Sequence, residues 1–280
     1  MKFDTPSWLK INVEIGANCN RNCVWCMRSG RIGLVRQDAE GKNILSVMPD
    51  EQVRRILSEA HSLGYRGRVR LNFYSEPTLH PRVVEYGRLA RQLGMHCELI
   101  TNGDKIMASP SFAREVRDTF PYVQFTSYDA ASIEEHNDYS RRVRELIPQA
   151  RTEPITSMAA LFGSRAHELL ASPPACRQAR CNRIPRHFII TWEGKQAACC
   201  YDISAGVLQD APNVFDVSLM EAWNCSARRS AHALLQQPGG RLKQSPVCAA
   251  CNVPHVDGQM PRPLGLPLIN ELRRRIEAGE

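Results

Sequence analysis

The stretch KINVEIGANCNRNCVWC, residues 10–26, decides the fold. Its first half alternates polar and apolar side chains, a pattern that predicts a β-strand. Its second half is a short polar loop that carries three cysteines, Cys19, Cys23 and Cys26, at the spacing C-x3-C-x2-C. Because the loop is short and polar, we expect the three thiolates to converge on one centre directly after the strand.

Strand and helix patterns alternate after this loop over about 160 residues, which predicts parallel strands joined by crossover helices. Ligands of such folds gather at the carboxyl ends of the strands, so the turns after the strands share one rim. We therefore expect an α/β fold with an open sheet or a barrel, and a site on that rim. The pattern predicts strands at 69–74, 97–101 and 123–127, and helices at 49–63, 81–93, 112–119, 133–147 and 155–170.

The composition is that of a globular protein, with 280 residues of which 43% are hydrophobic and 23% are charged. No run approaches the roughly 18 apolar residues of a membrane-spanning helix, and the N-terminus has no apolar core of a signal peptide. We therefore expect a cytoplasmic chain that contacts no membrane. The net charge of +7 is spread along the sequence, so nucleic acid is not expected as a partner, whereas an acidic partner is permitted.

The chain has 11 cysteines, a high count for a cytosolic protein. In a reducing compartment, clustered thiols indicate metal or iron–sulfur ligands before disulfides. The three ligands of the first set leave a coordination position open, as catalysis requires, and a [4Fe–4S] cluster with one unique iron suits them. The alternatives are a zinc site completed by a distant fourth ligand and three incidental buried thiols.

A second set of cysteines lies in the C-terminal part of the chain. A predicted hairpin with its turn at Gly194 brings Cys181 and Cys199 to the same end, and the pair Cys248 and Cys251 supplies two more thiolates. Four soft ligands close a tetrahedral site. Either zinc or a fully ligated iron–sulfur cluster suits such a site, and the spacing alone does not decide between them.

The other four cysteines are expected to be buried and inert. Cys97 lies on a predicted strand and is assigned to the core, and Cys225 is assigned to packing. Cys200 directly follows the predicted ligand Cys199, and its side chain should point away from that of Cys199. Cys176 is the best substitute for one ligand of the second set.

The first cysteine set resembles the signature of the radical SAM enzymes, because Trp25 precedes its last cysteine and the loop follows the first strand of a βα array. The resemblance implies a partial (β/α)6 TIM-like barrel in which Cys19, Cys23 and Cys26 hold a [4Fe–4S] cluster. It also implies that the open iron binds S-adenosylmethionine (SAM), and that one electron cleaves SAM to methionine and a 5′-deoxyadenosyl radical. The barrel shelters such a radical from water.

The segment YSEPTLHP, residues 74–81, is similar to the family's G-G-E-P-L-x-H-P segment after the second strand. In the family, the backbone and the glutamate of this segment meet the SAM ammonium group. Tyr74 and Ser75 stand in place of the glycines, and Glu76 with its following proline remains.

The turns after the next two predicted strands also resemble the family. Residues 101–103 are similar to its T-N-G turn, and residues 127–141 are similar to its S-x-D…E-x-H…R stretch, in which Arg142 could equally supply the arginine. The glycine-rich adenine motif of the family has no clear match near residues 155–163. The residues that the resemblance assigns to SAM binding are Trp25, Ser75, Glu76, Thr101, Asn102, Ser127 and Arg141.

The second cysteine set, C-x12-G-x4-C followed by C-x2-C, resembles the opening of the SPASM extension of radical SAM enzymes. Because no cysteine follows Cys251, it is similar to the shortened form called twitch, and Trp223-Asn224 also suits that lobe. The resemblance implies a radical SAM partial barrel at 1–171 and a twitch lobe with a C-terminal helix at 172–280. It assigns one auxiliary [4Fe–4S] cluster to Cys181, Cys199, Cys248 and Cys251.

The resemblance implies an oxidoreductase of the dehydrogenase or epimerase type. The 5′-deoxyadenosyl radical takes a hydrogen atom from the substrate, and the auxiliary cluster accepts the leftover electron or returns one to the product. Small chains with one auxiliary cluster resemble enzymes that act on aminocyclitols and sugars in natural product biosynthesis, so we expect a small-molecule substrate. A flavodoxin- or ferredoxin-type protein is implied as the electron donor.

Three alternatives remain open from the sequence. The first is a radical SAM enzyme that modifies a peptide by a crosslink, a thioether or epimerisation, although no appended peptide-recognition domain is present. The second is a radical tRNA-modifying enzyme, which rests only on the mild basic excess. The third belongs to another class and is a zinc-stabilised binding module without catalysis. The sequence identifies no general base.

Overall fold

A seven-stranded sheet lies at the centre of the computed structural model. The structure describes Trp8 and residues 10–21, 23, 26, 36–37, 43–44, 46–154, 180–249, 251, 271, 274–275 and 278. The strands in chain order are β1 (Lys10–Val13), β2 (Arg36–Gln37), β3 (Asn43–Ile44), β4 (Arg68–Arg70), β5 (His96–Thr101), β6 (Tyr122–Ser127), β7 (Arg151–Pro154), β8 (His187–Ile190) and β9 (Gln196–Ala197).

The order of the strands in the sheet is β7-β6-β5-β4-β1-β8-β9. All neighbours pair in parallel except β8 and β9, which form an antiparallel hairpin. Parallel strands need crossover connections, which the helices supply. The predicted α/β fold with parallel strands is therefore confirmed. β2 and β3 form a separate antiparallel pair.

Helices follow the strands as the sequence pattern predicts, but the strand predicted at 69–74 ends at Arg70, and the short helix Asp104–Ala108 was not predicted. Gly64 comes shortly after α1 (Asp50–Ser62) and Gly94 shortly after α2 (Val83–Gln92), with φ angles of 81° and 76°, and this left-handed conformation turns the chain towards the next strand. The helix predicted at 155–170 lies outside the described residues. No described helix combines the length and apolar character needed to cross a membrane. The helices are α1 (Asp50–Ser62), α2 (Val83–Gln92), α3 (Asp104–Ala108), α4 (Pro110–Thr119), α5 (Ile133–Leu146), α6 (Leu219–Trp223), α7 (Ser226–Leu235), α8 (Gly240–Gln244) and α9 (Pro246–Ala249).

One face of the sheet packs against the helices and forms the hydrophobic core. Register is kept across the strands, so that Ile11 lies beside Val69 and Val69 lies beside Cys97. The expectation that Cys97 belongs to the core is confirmed, since its side chain is fully buried. The other core residues on the strands are Val13, Leu99, Val123, Phe125, Phe188 and Ile190.

The opposite face of the sheet carries polar side chains on β1, β4 and β5. Asn12 of β1 lies beside Arg70 of β4, and Arg70 lies beside Glu98 of β5, so the three side chains form a row on one face. Glu14 and Asn72, two residues further along, continue this face towards the carboxyl ends of the strands. Asn12, Glu14, Asn72 and Glu98 are all buried. Buried polar groups need hydrogen-bond partners, which the chain or a ligand must supply.

The C-terminal part of the chain extends the same sheet. β8 pairs in parallel with β1, with His187 beside Lys10, and a turn at Gly194 leads into β9. The predicted hairpin is therefore confirmed, and its first strand makes the sixth parallel strand of a partial barrel. The domain boundary predicted near residue 172 lies outside the described residues.

A buried arginine of α7 forms hydrogen bonds with the hairpin. Arg228 of α7 is fully buried, and its guanidinium carbon lies 4.4 Å from the ring centre of Trp223. It donates hydrogen bonds to the Gln196 side chain at 3.2 Å and to the carbonyl of Ile184 at 3.0 Å. Burial lowers the pKa of Arg228 to about 10. These contacts tie α7 to β9 and to the segment before β8.

Candidate active site

The first cysteine set lies where the sequence predicts it, in the loop after β1. Cys19, Cys23 and Cys26 are each half-buried, and the Cys26 amide donates to the Cys23 carbonyl at 2.9 Å. Burial raises the pKa of the Cys23 thiol to about 11, and the charges of Cys19 and Cys26 add to this rise. The three thiols are therefore close neighbours. Trp25 lies outside the described residues.

Asparagines tie this loop to the neighbouring turns. The side-chain oxygen of Asn18 accepts from the Ser46 amide at 2.7 Å, and its carbonyl accepts from the Glu76 amide at 2.8 Å. The side-chain oxygen of Asn20 accepts from the Asn102 amide group at 2.8 Å. The loop is thus held against the turns after β4 and β5.

Arg21 is the strongest anchor of the loop. Its guanidinium donates two hydrogen bonds to the Asp104 carboxylate, at 2.6 and 2.8 Å, and a third to Asp129 at 2.9 Å. The hydrogen bond from Arg21 lowers the pKa of Asp104. Planar two-point pairs of this kind fix geometry as well as adding energy. These residues were not predicted as site residues, although an arginine between the first two cysteines was a visible signal.

Glu76 brings together two segments that the resemblance assigns to SAM. Its carboxylate, in a residue only 5% exposed, accepts hydrogen bonds from both the amide and the hydroxyl of Thr78, at 3.0 and 2.6 Å. It also accepts from the Thr101 hydroxyl and the Asn102 amide, each at 2.7 Å. Burial raises the pKa of Glu76, and these hydrogen bonds oppose the rise. The hydroxyl of Ser75 is buried and has no partner within the described residues.

Ser127 and Arg141 occupy different surroundings. The Ser127 hydroxyl lies at the carboxyl end of β6, 2.7 Å from Nδ1 of His136, so it is already engaged. The Arg141 side chain is 64% exposed on α5 and pairs with Asp138 and Glu145 of the same helix. The structure therefore does not bring Arg141 to the rim, and its assignment to SAM stays a prediction.

The second cysteine set also converges. Burial raises the pKa of Cys248 to about 11, and the charges of Cys181 and Cys251 contribute to the rise. Burial likewise raises the pKa of Cys199, with Cys181 among its neighbours. The Cys251 amide donates to the Cys248 carbonyl at 3.2 Å, which closes the turn between this pair. Cys176, the predicted substitute, lies outside the described residues.

The expectation that Cys200 points away from Cys199 is wrong. Both side chains pack against Tyr201, and Arg183 donates to the Cys200 sulfur at 3.7 Å. The physical reason is that β9 ends at Ala197, so the alternation of a strand no longer separates the two cysteines.

Two arginines face the second set of sulfurs. Arg241, which is almost fully buried, donates to the Cys251 sulfur at 3.9 Å and to the Arg180 carbonyl at 2.9 Å. Arg183 donates to the sulfur of Cys200, which directly follows Cys199 of this set. Thiolates around an iron–sulfur cluster carry net negative charge, and such hydrogen bonds to sulfur tune the potential of the cluster. The donor set and its cations are therefore suited to an anionic thiolate-bound centre.

In the part of the chain that the structure describes, no three histidine, cysteine or acidic side chains stand close enough to hold a single metal ion. The sulfurs around one zinc ion stand roughly 4 Å apart. The ligands of a [4Fe–4S] cube bind separate irons and stand further apart. Two groups of thiols that are neighbours without touching are compatible with cubes of this kind.

Tyr74 joins the two halves of the site. Its hydroxyl donates to the carbonyl of Cys200, and its amide donates to the Glu14 carboxylate at 3.1 Å. The same carboxylate accepts from the Trp192 amide at 3.4 Å. Burial raises the pKa of Tyr74, and the charges of Cys200, Cys199 and Cys26 add to the rise.

A model of the radical SAM superfamily matches residues 13–158, more than half of the chain. The chain belongs to the radical SAM superfamily. A model of the SPASM family, an iron–sulfur cluster-binding domain, matches residues 181–252. A radical SAM protein with this second domain uses SAM, a [4Fe–4S] cluster and an auxiliary iron–sulfur cluster. No curated protein sequence matches the chain.

Solved structures support the same fold for this radical SAM protein. It is similar to BtrN in complex with AdoMet and 2-DOIA, with a TM-score of 0.67, 18% identity, and coverage of 88% of this chain and 93% of that one. It is also similar to the open conformation of selenomethionine BtrN, with a TM-score of 0.63, 17% identity, and coverage of 88% and 92%. A third structure, anSMEcpe with bound AdoMet, has a TM-score of 0.54, 14% identity, and coverage of 97% and 99%. The predicted partial barrel with a SPASM-type lobe is confirmed.

Proposed function

We propose that this radical SAM protein oxidises or epimerises a small, polar, sugar- or aminocyclitol-like intermediate. The observation that carries the proposal is the position of Tyr74, which contacts the auxiliary lobe through its hydroxyl and the end of β1 through its amide. Tyr74 therefore connects the end of β1, where the first cysteine loop begins, to the lobe that carries the second cysteine set, and we place the substrate beside the polar face between them. A substrate on that face lies within reach of two redox centres.

Cys19, Cys23 and Cys26 are assigned to the SAM cluster, and the auxiliary cluster is assigned to Cys181, Cys199, Cys248 and Cys251. When bound, the SAM cluster and SAM supply a 5′-deoxyadenosyl radical that removes a substrate hydrogen, and the auxiliary cluster supplies a site that takes up or returns one electron. The residues of the chain hold these groups in place and keep water away from the reacting carbon.

Two neighbouring residues of the turn after β4, Ser75 and Glu76, are suited to SAM. Glu76 is held by four hydrogen bonds from Thr78, Thr101 and Asn102, so its carboxylate cannot rotate away from the rim. The Ser75 hydroxyl lacks a partner among the described residues and can bond to a ligand. We assign the SAM ammonium to this turn. Trp25, Ser127 and Arg141 are assigned to SAM from the resemblance alone.

The polar face of the sheet favours a small polar substrate over an apolar one. The crystal structure of BtrN holds AdoMet together with 2-DOIA, and we carry over only the expectation of a small molecule beside SAM. A flavodoxin- or ferredoxin-type protein in the cytoplasm is proposed as the electron donor. An acidic donor of this kind matches the net charge of +7.

The proposal is tested by product analysis under anaerobic conditions. The reconstituted protein is incubated with SAM, a reductant and separate mixtures of amino polyols and of short peptides in D₂O. We expect an amino polyol to lose two hydrogen atoms or to gain one deuterium at carbon, and we expect the peptides to be unchanged. Cys248→Ala should lose this product and still release 5′-deoxyadenosine, because it leaves the first cysteine set intact. Modification of peptides alone would contradict the proposal.

A further inference from the structure

Two buried asparagines and an arginine form a compact group on the polar face of the sheet. Asn12 lies beside Arg70 in the register of β1 and β4, and its amide group donates to the Asn72 carbonyl at 3.3 Å. Asn12 is 6% exposed and Asn72 is 8% exposed. The three residues therefore share one enclosed stretch of the face, just below the rim where the first cysteine loop begins.

These side chains hold polar atoms that nothing nearby satisfies. Oδ1 of Asn12, Oδ1 of Asn72 and Nε of Arg70 are buried, and none of the three has a hydrogen-bond partner among the residues whose placement is described. Leaving such atoms unpaired is costly, and native proteins rarely place several together. Two acceptors and one donor on these neighbouring residues indicate a ligand that supplies two donors and one acceptor.

An ion pair with Glu98 holds the guanidinium group of Arg70 in place. Its Nη2 donates to the Glu98 carboxylate at 2.9 Å, and Glu98 also accepts from Arg68 at 3.3 Å and lies 3.9 Å from Lys10. The outer end of the guanidinium is thus fixed by Glu98. Nε takes no part in this ion pair and has no partner among the described residues.

An apolar side chain lies beside Asn12, on the side of β1 away from Arg70. Ile189 of β8 is in register with Asn12 and is buried against Phe73, Ala197 and Ala205. The auxiliary lobe therefore covers this part of the face and excludes water from it. Sites for small ligands typically combine such apolar walls with a few placed polar groups.

We propose that Asn12, Asn72 and Arg70 form the subsite that selects the substrate, a saturated ring that carries adjacent hydroxyl or amino groups. Two substituents of the ring donate to Oδ1 of Asn12 and Oδ1 of Asn72, and a ring hydroxyl oxygen accepts from Nε of Arg70. The ring itself packs beside Ile189. This assignment rests on the proposed function, and it names the groups of the substrate that the chain recognises.

Binding without turnover tests the subsite. The anaerobically reconstituted protein is mixed with SAM and no reductant, and the dissociation constants of glucosamine, myo-inositol and cyclohexanol are measured by calorimetry and saturation-transfer NMR. We expect glucosamine and myo-inositol, which carry several adjacent polar groups, to bind. Cyclohexanol keeps a six-membered ring with a single hydroxyl, so it should bind at least about ten times more weakly. The proposal would be overturned if cyclohexanol bound as tightly as the other two probes, or if neither glucosamine nor myo-inositol bound.

Substitutions locate the binding. Asn72→Leu keeps the size of the side chain and removes the acceptor, so the dissociation constant of the bound probe should rise at least about ten-fold. Asn72→Asp keeps an acceptor oxygen and should bind within a few-fold of the wild type. Asn137→Leu, on the exposed surface of α5, is the matched control and should change nothing. If Asn72→Leu does not fold, Arg70→Lys replaces it, because lysine keeps a cation near Glu98 and lacks Nε.

The outcomes separate this proposal from the proposed function. Unchanged binding in folded Asn72→Leu or Arg70→Lys would overturn the subsite, even where the protein releases 5′-deoxyadenosine. Binding lost in these variants and kept in Asn72→Asp supports the subsite. In that case the absence of 5′-deoxyadenosine from the iron-loaded wild type would count against the proposed function alone.

Discussion

The Tyr74 hydroxyl donates a hydrogen bond to the carbonyl oxygen of Cys200. Tyr74 stands where the resemblance places a glycine, and Cys200 directly follows a cysteine assigned to the auxiliary cluster. The side chain of Tyr74 therefore connects the turn after β4 to the auxiliary lobe, whereas a glycine, whose side chain is a hydrogen atom, could not. The contact gives the tyrosine at this position a structural role that a glycine could not have.

Tyr74→Phe removes this hydrogen bond and leaves the ring in place. We expect the free energy of unfolding to fall by about 1 kcal/mol and the electron paramagnetic resonance signal of the auxiliary cluster to change, because the Cys199–Cys200 backbone loses a restraint. Tyr86→Phe is the matched control, since the Tyr86 hydroxyl bonds to Asp50 at 3.0 Å in the outer layer of helices. A spectrum unchanged in Tyr74→Phe would contradict the prediction.

Arg21→Ala should loosen the first cysteine loop. The variant loses the two-point pair with Asp104 and the bond to Asp129, so the loop keeps only the hydrogen bonds of Asn20 to the turn after β5 and loses its bond to the turn after β6. We expect the iron content after reconstitution to fall from about eight towards about four per chain. Arg88→Ala removes an exposed pair with Glu115 and should retain the full iron content. Full iron loading of Arg21→Ala would show that the loop needs no such anchor.

His187 makes the fold sensitive to acid. Burial, together with the nearby charges of Arg183 and Lys10, lowers the pKa of His187 to about 3. The unfolded chain binds a proton on this residue below its ordinary pKa of about 6.5, and the folded chain does not. Stability therefore decreases as the pH falls from about 6.5 towards 3, by up to about 1.4 kcal/mol per pH unit.

Urea unfolding at several pH values measures this effect. His187→Gln should show a smaller loss of stability between pH 6.5 and 4 than the wild type shows. His96→Gln, at an exposed position, should follow the wild type. Identical pH dependence in all three proteins would exclude His187 as the source.

Arg228→Ala should destabilise the fold by about 3 kcal/mol or more, because it leaves the carbonyl of Ile184 without its donor and opens a cavity beside Trp223. Arg229→Ala, on the exposed side of the same helix, removes a bond to the Asn224 carbonyl and should change stability by less than about 0.5 kcal/mol. Chemical unfolding curves decide between the two expectations. Equal effects of both substitutions would contradict the role given to Arg228.

Local patterns predicted the elements that carry the site. The alternation that begins at Lys10 gave β1, and the glycines after α1 and α2 marked the ends of those helices. The segments around Glu76 and Thr101 were predicted as neighbours of one rim because the carboxyl ends of parallel strands meet there, and a 2.7 Å hydrogen bond joins them. These features depend on periodicity and on fold geometry, both of which a sequence contains.

Contacts between distant parts of the chain left no local pattern. The pairing of β8 with β1 joins the C-terminal lobe to the barrel sheet, and the pairing of Arg21 with Asp104 fixes the cysteine loop. The partners in each of these two contacts are far apart in the sequence and share neither a turn nor a helix face. Neither contact could therefore be predicted from the spacing of residues. The direction of Cys200 was predicted from strand alternation, which failed because β9 has only two residues.

Release of 5′-deoxyadenosine is the most direct test of the assignment of Cys19, Cys23 and Cys26. The wild type is reconstituted anaerobically and incubated with SAM and dithionite, beside Cys23→Ala and the control Cys225→Ala, which leaves both cysteine sets intact. We predict that the wild type and Cys225→Ala release 5′-deoxyadenosine and that Cys23→Ala releases none above background. Release by Cys23→Ala, or its absence from an iron-loaded wild type, would contradict the assignment.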